Sequence, residues 1–302
     1  MHQPTNGPRA AIAALLLGTA LAAGAQSPAD SRPASTAAGL PAPTAAAPTA
    51  AAPGAQSAEA PSTATAAASA ATQDDAAARE RASEIVRRAD EIRFPRDAFS
   101  VEVRVSSTIR GEAQEPRRYR ILSRDSEDTI VQTLEPEVER GQNLLMKGRE
   151  LWMFMPSVSQ PVRLSLSQRL TGQVANGDLA RTQFANDYEA RLVGSEKIDG
   201  KDHHVLELTA TERGMTYPKI RYWVRASDLH PHRAEFHAMS GKLLKTCRFE
   251  NYQTLGGRVR PTRLVMTDAL KEGDESVLDY SGLAARSLPA RMFTKEYLKR
   301  LE

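Results

Sequence analysis

The chain has 302 residues, a quarter of them charged, with 40 Lys and Arg against 37 Asp and Glu. The basic excess is mild, and no Lys/Arg cluster is interleaved with aromatics, which argues against nucleic acid as a partner and suits anionic lipid head groups or an acidic protein better. A lone cysteine, Cys247, excludes an internal disulfide, so stability must come from the hydrophobic core.

Arg9 precedes an apolar Ala/Leu run from Ala10 to Ala25 that closes in Ala23-Gly24-Ala25. A basic residue, a short apolar run and a small-x-small site are the marks of a cleavable signal peptide over residues 1–25. The run is shorter than the ~20 residues a spanning helix needs. Ala20-Leu21-Ala22 offers a second cleavage site, no cysteine follows the run, and no Arg-Arg pair precedes it, so the general export route to the periplasm is expected. Residues 26–75 are Ala, Pro, Thr and Ser with one larger aliphatic, Leu40. Such a segment buries too little apolar surface to offset its ordering entropy and reads as a disordered linker. The folded part is then 76–302, whose net charge is +5 once Arg9 and Arg32 are taken from the bases and Asp30, Glu59, Asp74 and Asp75 from the acids. That length suffices for one large core.

In chain order, Ala82, Ile85, Val86, Ala89 and Ile92 recur at spacings of three and four, one stripe of a helix stopped by Phe94-Pro95. From Phe99 to Val105 the period becomes two, giving a strand with one wet and one dry face. Short strands follow at 117–124, 129–134, 142–147 and 151–155, the last apolar on both faces and ended by Pro156. The stretch 157–186 fits neither strand nor simple turn, and a long insertion of that kind in a compact domain reads as a lid. Strand pattern resumes at 188–198 and 201–210 around Asp199-Gly200, a dipeptide suited to a two-residue hairpin, and continues at 219–225, 232–239, 242–253, 258–268 and 275–283. Residues 289–301 close the chain as a short helix or irregular tail.

About twelve strands joined by hairpin-length loops, with no crossover helices, make an antiparallel meander. One helix and one insertion can cover its dry face only if the sheet bends strongly. The expected fold is therefore mainly β (α+β): a strongly curved antiparallel sheet forming an unclosed half-barrel, with an N-terminal helix and a helical lid insertion on the concave face. An apolar chamber beneath a lid suits a greasy ligand.

Motifs for covalent chemistry are missing: there is no Gly-x-Ser-x-Gly elbow, Ser-x-x-Lys pair or phosphate loop. His203 and His204 are adjacent on a strand and face opposite ways, His230 and His232 flank a turn proline, and no zinc-type His-Glu-x-x-His occurs, so neither a metal nor a cofactor is expected. Cys247 reads as a small buried apolar residue, and Asp178 and Asp187 as a helix cap and a turn residue. What remains is aliphatic and aromatic. The residues expected to line the chamber are Val101, Val103 and Val105 of the first strand, Leu145, Trp152 and Phe154 of the central strands, Leu166 and Leu170 of the insertion, and Trp223 and Phe236 of the second half.

Leu151-Trp152-Met153-Phe154-Met155-Pro156-Ser157, followed by Pro161-Val162-Arg163-Leu164-Ser165-Leu166-Ser167-Gln168-Arg169, resembles the outer membrane lipoprotein-sorting family, the LolA-like group. Leu244-Lys245-Thr246, Phe249 and Tyr252, Gly257 with Pro261 and Thr262, Met266-Thr267 and Phe293-Thr294 extend the likeness over most of 76–302. The chain departs from the family at Leu170–Leu179, which stands where a Phe-Met-Gly-Ser-Asp-Phe run is usual, and at Pro136 with Arg140-Gly141 in place of Pro and Lys-Gly. The resemblance implies an unclosed β-barrel with a lid, no bond-breaking chemistry, and a periplasmic carrier of lipoprotein or lipid acyl chains. It also implies a possible RND-type or other integral-membrane partner. The competing reading is a sensor or accessory module that binds such a membrane protein without transferring lipid.

Overall fold

The computed structural model describes residues 63–301 apart from 126, 159 and 182, with side chains from 73 onward. The expected signal peptide and most of the linker lie outside those residues. The first element, α1 (Thr63–Arg93), begins earlier than the apolar stripe alone indicates, because the Ala-rich end of the expected linker is itself strongly helix-forming. Its buried stripe is Ala82, Ile85, Val86 and Ala89. At its other end Arg260 donates from Nη1 to the carbonyls of Glu91 and Ile92, at 2.7 and 3.0 Å, satisfying acceptors the helix leaves open.

The strands follow as β1 (Phe99–Ile109), β2 (Glu112–Ala113), β3 (Arg117–Ser123), β4 (Asp128–Glu135), β5 (Asn143–Lys147), β6 (Glu150–Phe154) and β7 (Val162–Leu164). Then come a small hairpin of β8 (Arg169–Thr171) and β9 (Val174–Ala175), and the short helix α2 (Asn176–Ala180). The second run is β10 (Tyr188–Ile198), β11 (Lys201–Ala210), β12 (Lys219–Arg225), β13 (Pro231–His237), β14 (Leu243–Leu255), β15 (Arg258–Asp268) and β16 (Glu275–Ala285), with α3 (Lys295–Leu298) near the end.

Except for β8 and β9, all the strands join one open antiparallel sheet in the order β10-β11-β12-β13-β14-β15-β16-β1-β3-β4-β5-β6-β7, with β2 beside β1. The two runs are meanders, and one non-local seam unites them: β16 pairs with β1, from Thr108↔Glu275 to Phe99↔Ala285. This places the ends of the intervening connection at opposite edges of the sheet, since β7 and β10 are the edge strands. Residues 165–187 therefore run from one edge of the unclosed half-barrel to the other. The insertion is a lid by topology, and it is shorter than the 157–186 expected because 162–164 pair with β6 as an edge strand. It is also less helical, since α2 spans five residues.

Two apolar clusters sandwich the sheet. The larger holds the α1 stripe, the inward residues of both meanders, and Leu166, Val174, Leu179 and Ala180 of the lid. The smaller lies on the opposite face, where Ile130 and Leu145 pack against Leu288, Phe293 and Leu298 of the C-terminal segment, with Trp152 and Phe154 partly buried beside them. Asn143 ties down the end of that segment by donating from Nδ2 to the Leu301 carbonyl at 2.9 Å.

Candidate functional site

The candidate site is the space between the sheet, the C-terminal half of α1 and the lid. Three sets of polar contacts hold the lid there. In the first, Oδ2 of Asp90, on α1, accepts from the backbone N–H groups of Phe184 and Ala185 at 2.7 and 2.8 Å, while Oδ1 accepts from Arg93 Nη1 at 3.3 Å. The Arg93 guanidinium lies 4.5 Å from the Phe184 ring centroid and 5.4 Å from that of Phe249. Phe184 meets Tyr188 and Tyr222 edge-on, at 5.8 and 5.5 Å. A lid aromatic is thus seated directly on a buried cation, an arrangement that desolvation strengthens.

The second set spans the open side of the half-barrel. Arg181 forms a two-pronged ion pair with Asp187 and donates from Nη1 to the Gly148 carbonyl, in the β5–β6 turn, at 2.8 Å. Next to it the exposed pair Arg149–Glu212 links that turn to the β11–β12 loop. Exposed pairs contribute little individually, so the buried Arg181–Asp187 unit carries this closure.

The third set anchors the hairpin end of the lid. Gln173 donates its N–H to Ser276 Oγ at 2.8 Å and its carbonyl accepts from Lys245 Nζ. Asp178 accepts from the Ala175 N–H and from Tyr217 Oη, all at 2.8 Å. Two lid glycines are there for want of room. A Cβ on Gly172, at φ +50°, would lie 2.1 Å from Ser107 Oγ, and one on Gly177 would lie 1.9 Å from Thr216 Oγ1.

Burial sets the protonation states. It raises the Asp90 carboxyl to about 6, with Arg93 and the two lid N–H groups pulling the other way. Asp178 also rises through burial, opposed first by Lys245. Burial holds the Tyr217 and Tyr222 phenols well above their ordinary range and pushes the Cys247 thiol up to about 12. Cys247 therefore carries no thiolate at neutral pH, the state nucleophilic chemistry requires. Among the described residues no group of three His, Cys, Asp or Glu side chains is placed to hold a metal ion.

The space left beneath the lid is small. One cavity of about 30 Å³ remains between Arg93, Asp178, Phe184, Tyr217, Cys247 and Phe249, with Phe236, Leu264 and Met266 on its floor. Pockets for small molecules run to roughly 300 Å³ and more. The chamber is largely filled by its own side chains.

Of the residues expected to line it, Val101, Val103, Val105, Leu166 and Phe236 are in the inner cluster and Leu170 packs against it half-buried. Phe236 alone of these borders the remaining cavity. Four others require correction, because strand alternation sends them the other way. Leu145, Trp152 and Phe154 belong to the outer cluster, while Leu144, Met146, Leu151 and Met153 on the same strands point inward. Trp223 lies on the outer face between two inward neighbours, Tyr222 and Val224; its Nε1 donates to Glu196 at 2.7 Å and the Arg233 guanidinium covers its ring at 3.9 Å. Sequence reasoning missed Asp90, Arg93, Lys245 and Phe184. The one signal available was Asp90 itself, an acid within the apolar stripe of α1.

Among solved structures, a LolA superfamily protein from Nitrosomonas europaea is 54% identical, with a TM-score of 0.69 over 72% of this chain and 98% of that one. This chain belongs to the LolA superfamily. A family model described as "Uncharacterized protein" matches residues 125–300. A putative outer membrane lipoprotein-sorting protein domain from Vibrio parahaemolyticus shares the LolA-like fold at 24% identity and a TM-score of 0.64, over 73% of this chain and 99% of that one. A DUF1329 family protein from Desulfovibrio piger does so at 22% and 0.63, over the same shares. No curated protein matches the chain.

Proposed function

We propose that this LolA-superfamily chain is a periplasmic carrier that shields the acyl chains of a lipoprotein or lipid during transfer towards the outer membrane, without bond-breaking chemistry of its own. The observation that carries the reading is the lid itself. A segment joining the two edges of the sheet covers the inner apolar cluster, and it is fixed by a handful of side-chain contacts rather than by strand pairing to the main sheet.

The energies of lid and ligand are of similar size. Lifting the lid exposes Leu166, Val174 and Leu179 together with Phe184, at roughly 1.5–3 kcal/mol for each fully buried side chain. A saturated chain of about 15 methylenes entering the same space recovers about 0.8 kcal/mol per methylene, roughly 12 kcal/mol. An acyl chain can therefore replace the lid's apolar residues at little net cost.

The test is native mass spectrometry of protein purified from periplasm, combined with titration of a fluorescent fatty acid. Copurifying lipid and saturable binding are expected. An empty protein that binds no fatty acid and instead recovers one stoichiometric membrane protein would overturn the carrier reading in favour of an accessory module.

A further inference from the structure

The deepest part of the chamber is not apolar. Arg93 is 8% exposed, and among the described residues one of its five N–H donors meets an acceptor, from Nη1 to Asp90 Oδ1 at 3.3 Å. Its Nε is fully buried without a partner, and so is the hydroxyl of Tyr222. Both side chains meet the same Phe184 ring, the guanidinium carbon 4.5 Å from its centroid and the Tyr222 ring 5.5 Å. A buried donor left unsatisfied is costly and calls for an explanation by function. Two of them, both against the Phe184 ring and one, Arg93, lining the cavity under the lid, have a common one.

We infer that Arg93 and Tyr222 form a receptor for an anionic head group, so that the ligand is an amphiphile bearing one carboxylate or phosphate, and that Phe184 occupies this receptor when the carrier is empty. This rests on the carrier reading. The Nε and Nη2 side of the guanidinium presents the two parallel donors that bind a carboxylate or phosphate in forked fashion. Asp90 engages the other side and does not compete for that edge. Burial keeps the Tyr222 hydroxyl protonated, so it can only help as a donor to an anion. The apolar floor of Phe236, Leu264 and Met266 lies along the same cavity, where the chain attached to the head would run. In the closed state the π face of Phe184 supplies partial negative charge to the guanidinium, and a real anion does so more strongly once the ring withdraws.

The experiment compares decanoate, decyl phosphate and decanol, three ligands of equal chain length, by isothermal titration calorimetry on the full exported chain. Decanoate and decyl phosphate are expected to bind at least tenfold more tightly than decanol, with Arg93→Lys keeping a preference for the anions and Arg93→Met bringing the ratio towards one. Equal affinities in the wild-type chain overturn the inference while leaving the carrier reading intact. That comparison needs no variant to fold. A preference that persists in Arg93→Met overturns it too, as does inorganic phosphate binding as tightly as decyl phosphate. Failure of all three chains to bind removes the carrier reading along with it.

Discussion

Replacing Asp90 by Ala removes an acceptor that α1 offers the lid. Two backbone N–H groups, those of Phe184 and Ala185, lose a charged partner, and Arg93 is left as an uncompensated buried cation. A buried donor without its acceptor costs about 1–3 kcal/mol, and breaking one side of a buried ion pair about 3–5 kcal/mol. Against this stands the relief of Asp90's own desolvation, the largest influence on its carboxyl and the cause of its rise to about 6. The net loss is about 2–5 kcal/mol, and it falls on the closed lid rather than on the sheet, whose pairing Asp90 does not touch. Native-state hydrogen exchange is the assay. At about 1.4 kcal/mol per tenfold, the Phe184 and Ala185 amides should exchange roughly 30- to 3,000-fold faster in Asp90→Ala, while the amides of β1 and β16 keep their relative protection. Lid amides that exchange within threefold of the wild-type rate would show that Asp90 does not hold the lid, and the reasoning would fall.

The same carboxylate makes lid closure pH-dependent. Its closed-state value of about 6 lies above the ordinary 3.8, so closure takes up a proton: the proton-linked part of closure is full below about 4 and is lost as pH rises through 6, leaving above that the contacts of the ionised carboxylate that Asp90→Ala removes. Its neighbours are Arg93 on its own helix and Asp187 across the lid, and the latter pushes in the same direction as burial. Protection factors at Phe184 and Ala185, corrected for intrinsic rates, should fall between pH 4 and 7; a flat profile would contradict this. Gly172→Ala should lower stability by several kcal/mol in urea titration, because its Cβ would strike Ser107 Oγ and Ser276 Oγ. Gly200→Ala, with open space around it, should cost only about 1 kcal/mol for its left-handed backbone. Both tryptophans lie on the outer face, so saturating the chamber with decanoate should leave intrinsic tryptophan emission unchanged, and a marked shift would mean the ligand binds elsewhere. Phe293→Ala, in the outer cluster, should cost about 3–5 kcal/mol in thermal melts without altering ligand affinity.

Period-two patterning placed the long strands, and Asp199-Gly200 marked a turn between two of them because only certain residues tolerate the backbone such a turn needs. The stripe of α1 was equally plain. The inward side was not. On β5 and β6 both alternate rows are apolar, since the C-terminal segment covers one as the lid covers the other, and a strand with two dry faces carries no label for either. Trp223 misled for a related reason. A large aromatic on the outer face can be buried by polar neighbours such as Arg221, Arg233 and Glu196, and its size says nothing of direction.

The sequence by itself determined an exported chain's leading segments as an expectation, the strands and their turns, the helix, and the presence of an insertion too long for a loop. It could do so because those features follow from local conformational preference and from the period of burial along the chain. Only the tertiary structure decided that β1 pairs with β16, that the insertion must therefore cross between the two edges of the sheet, and that Asp90, Arg93 and Phe184, 94 residues apart at the extremes, form one buried site. Pairings of that kind depend on which surfaces meet once the sheet has curled, and no local spacing in the chain encodes them.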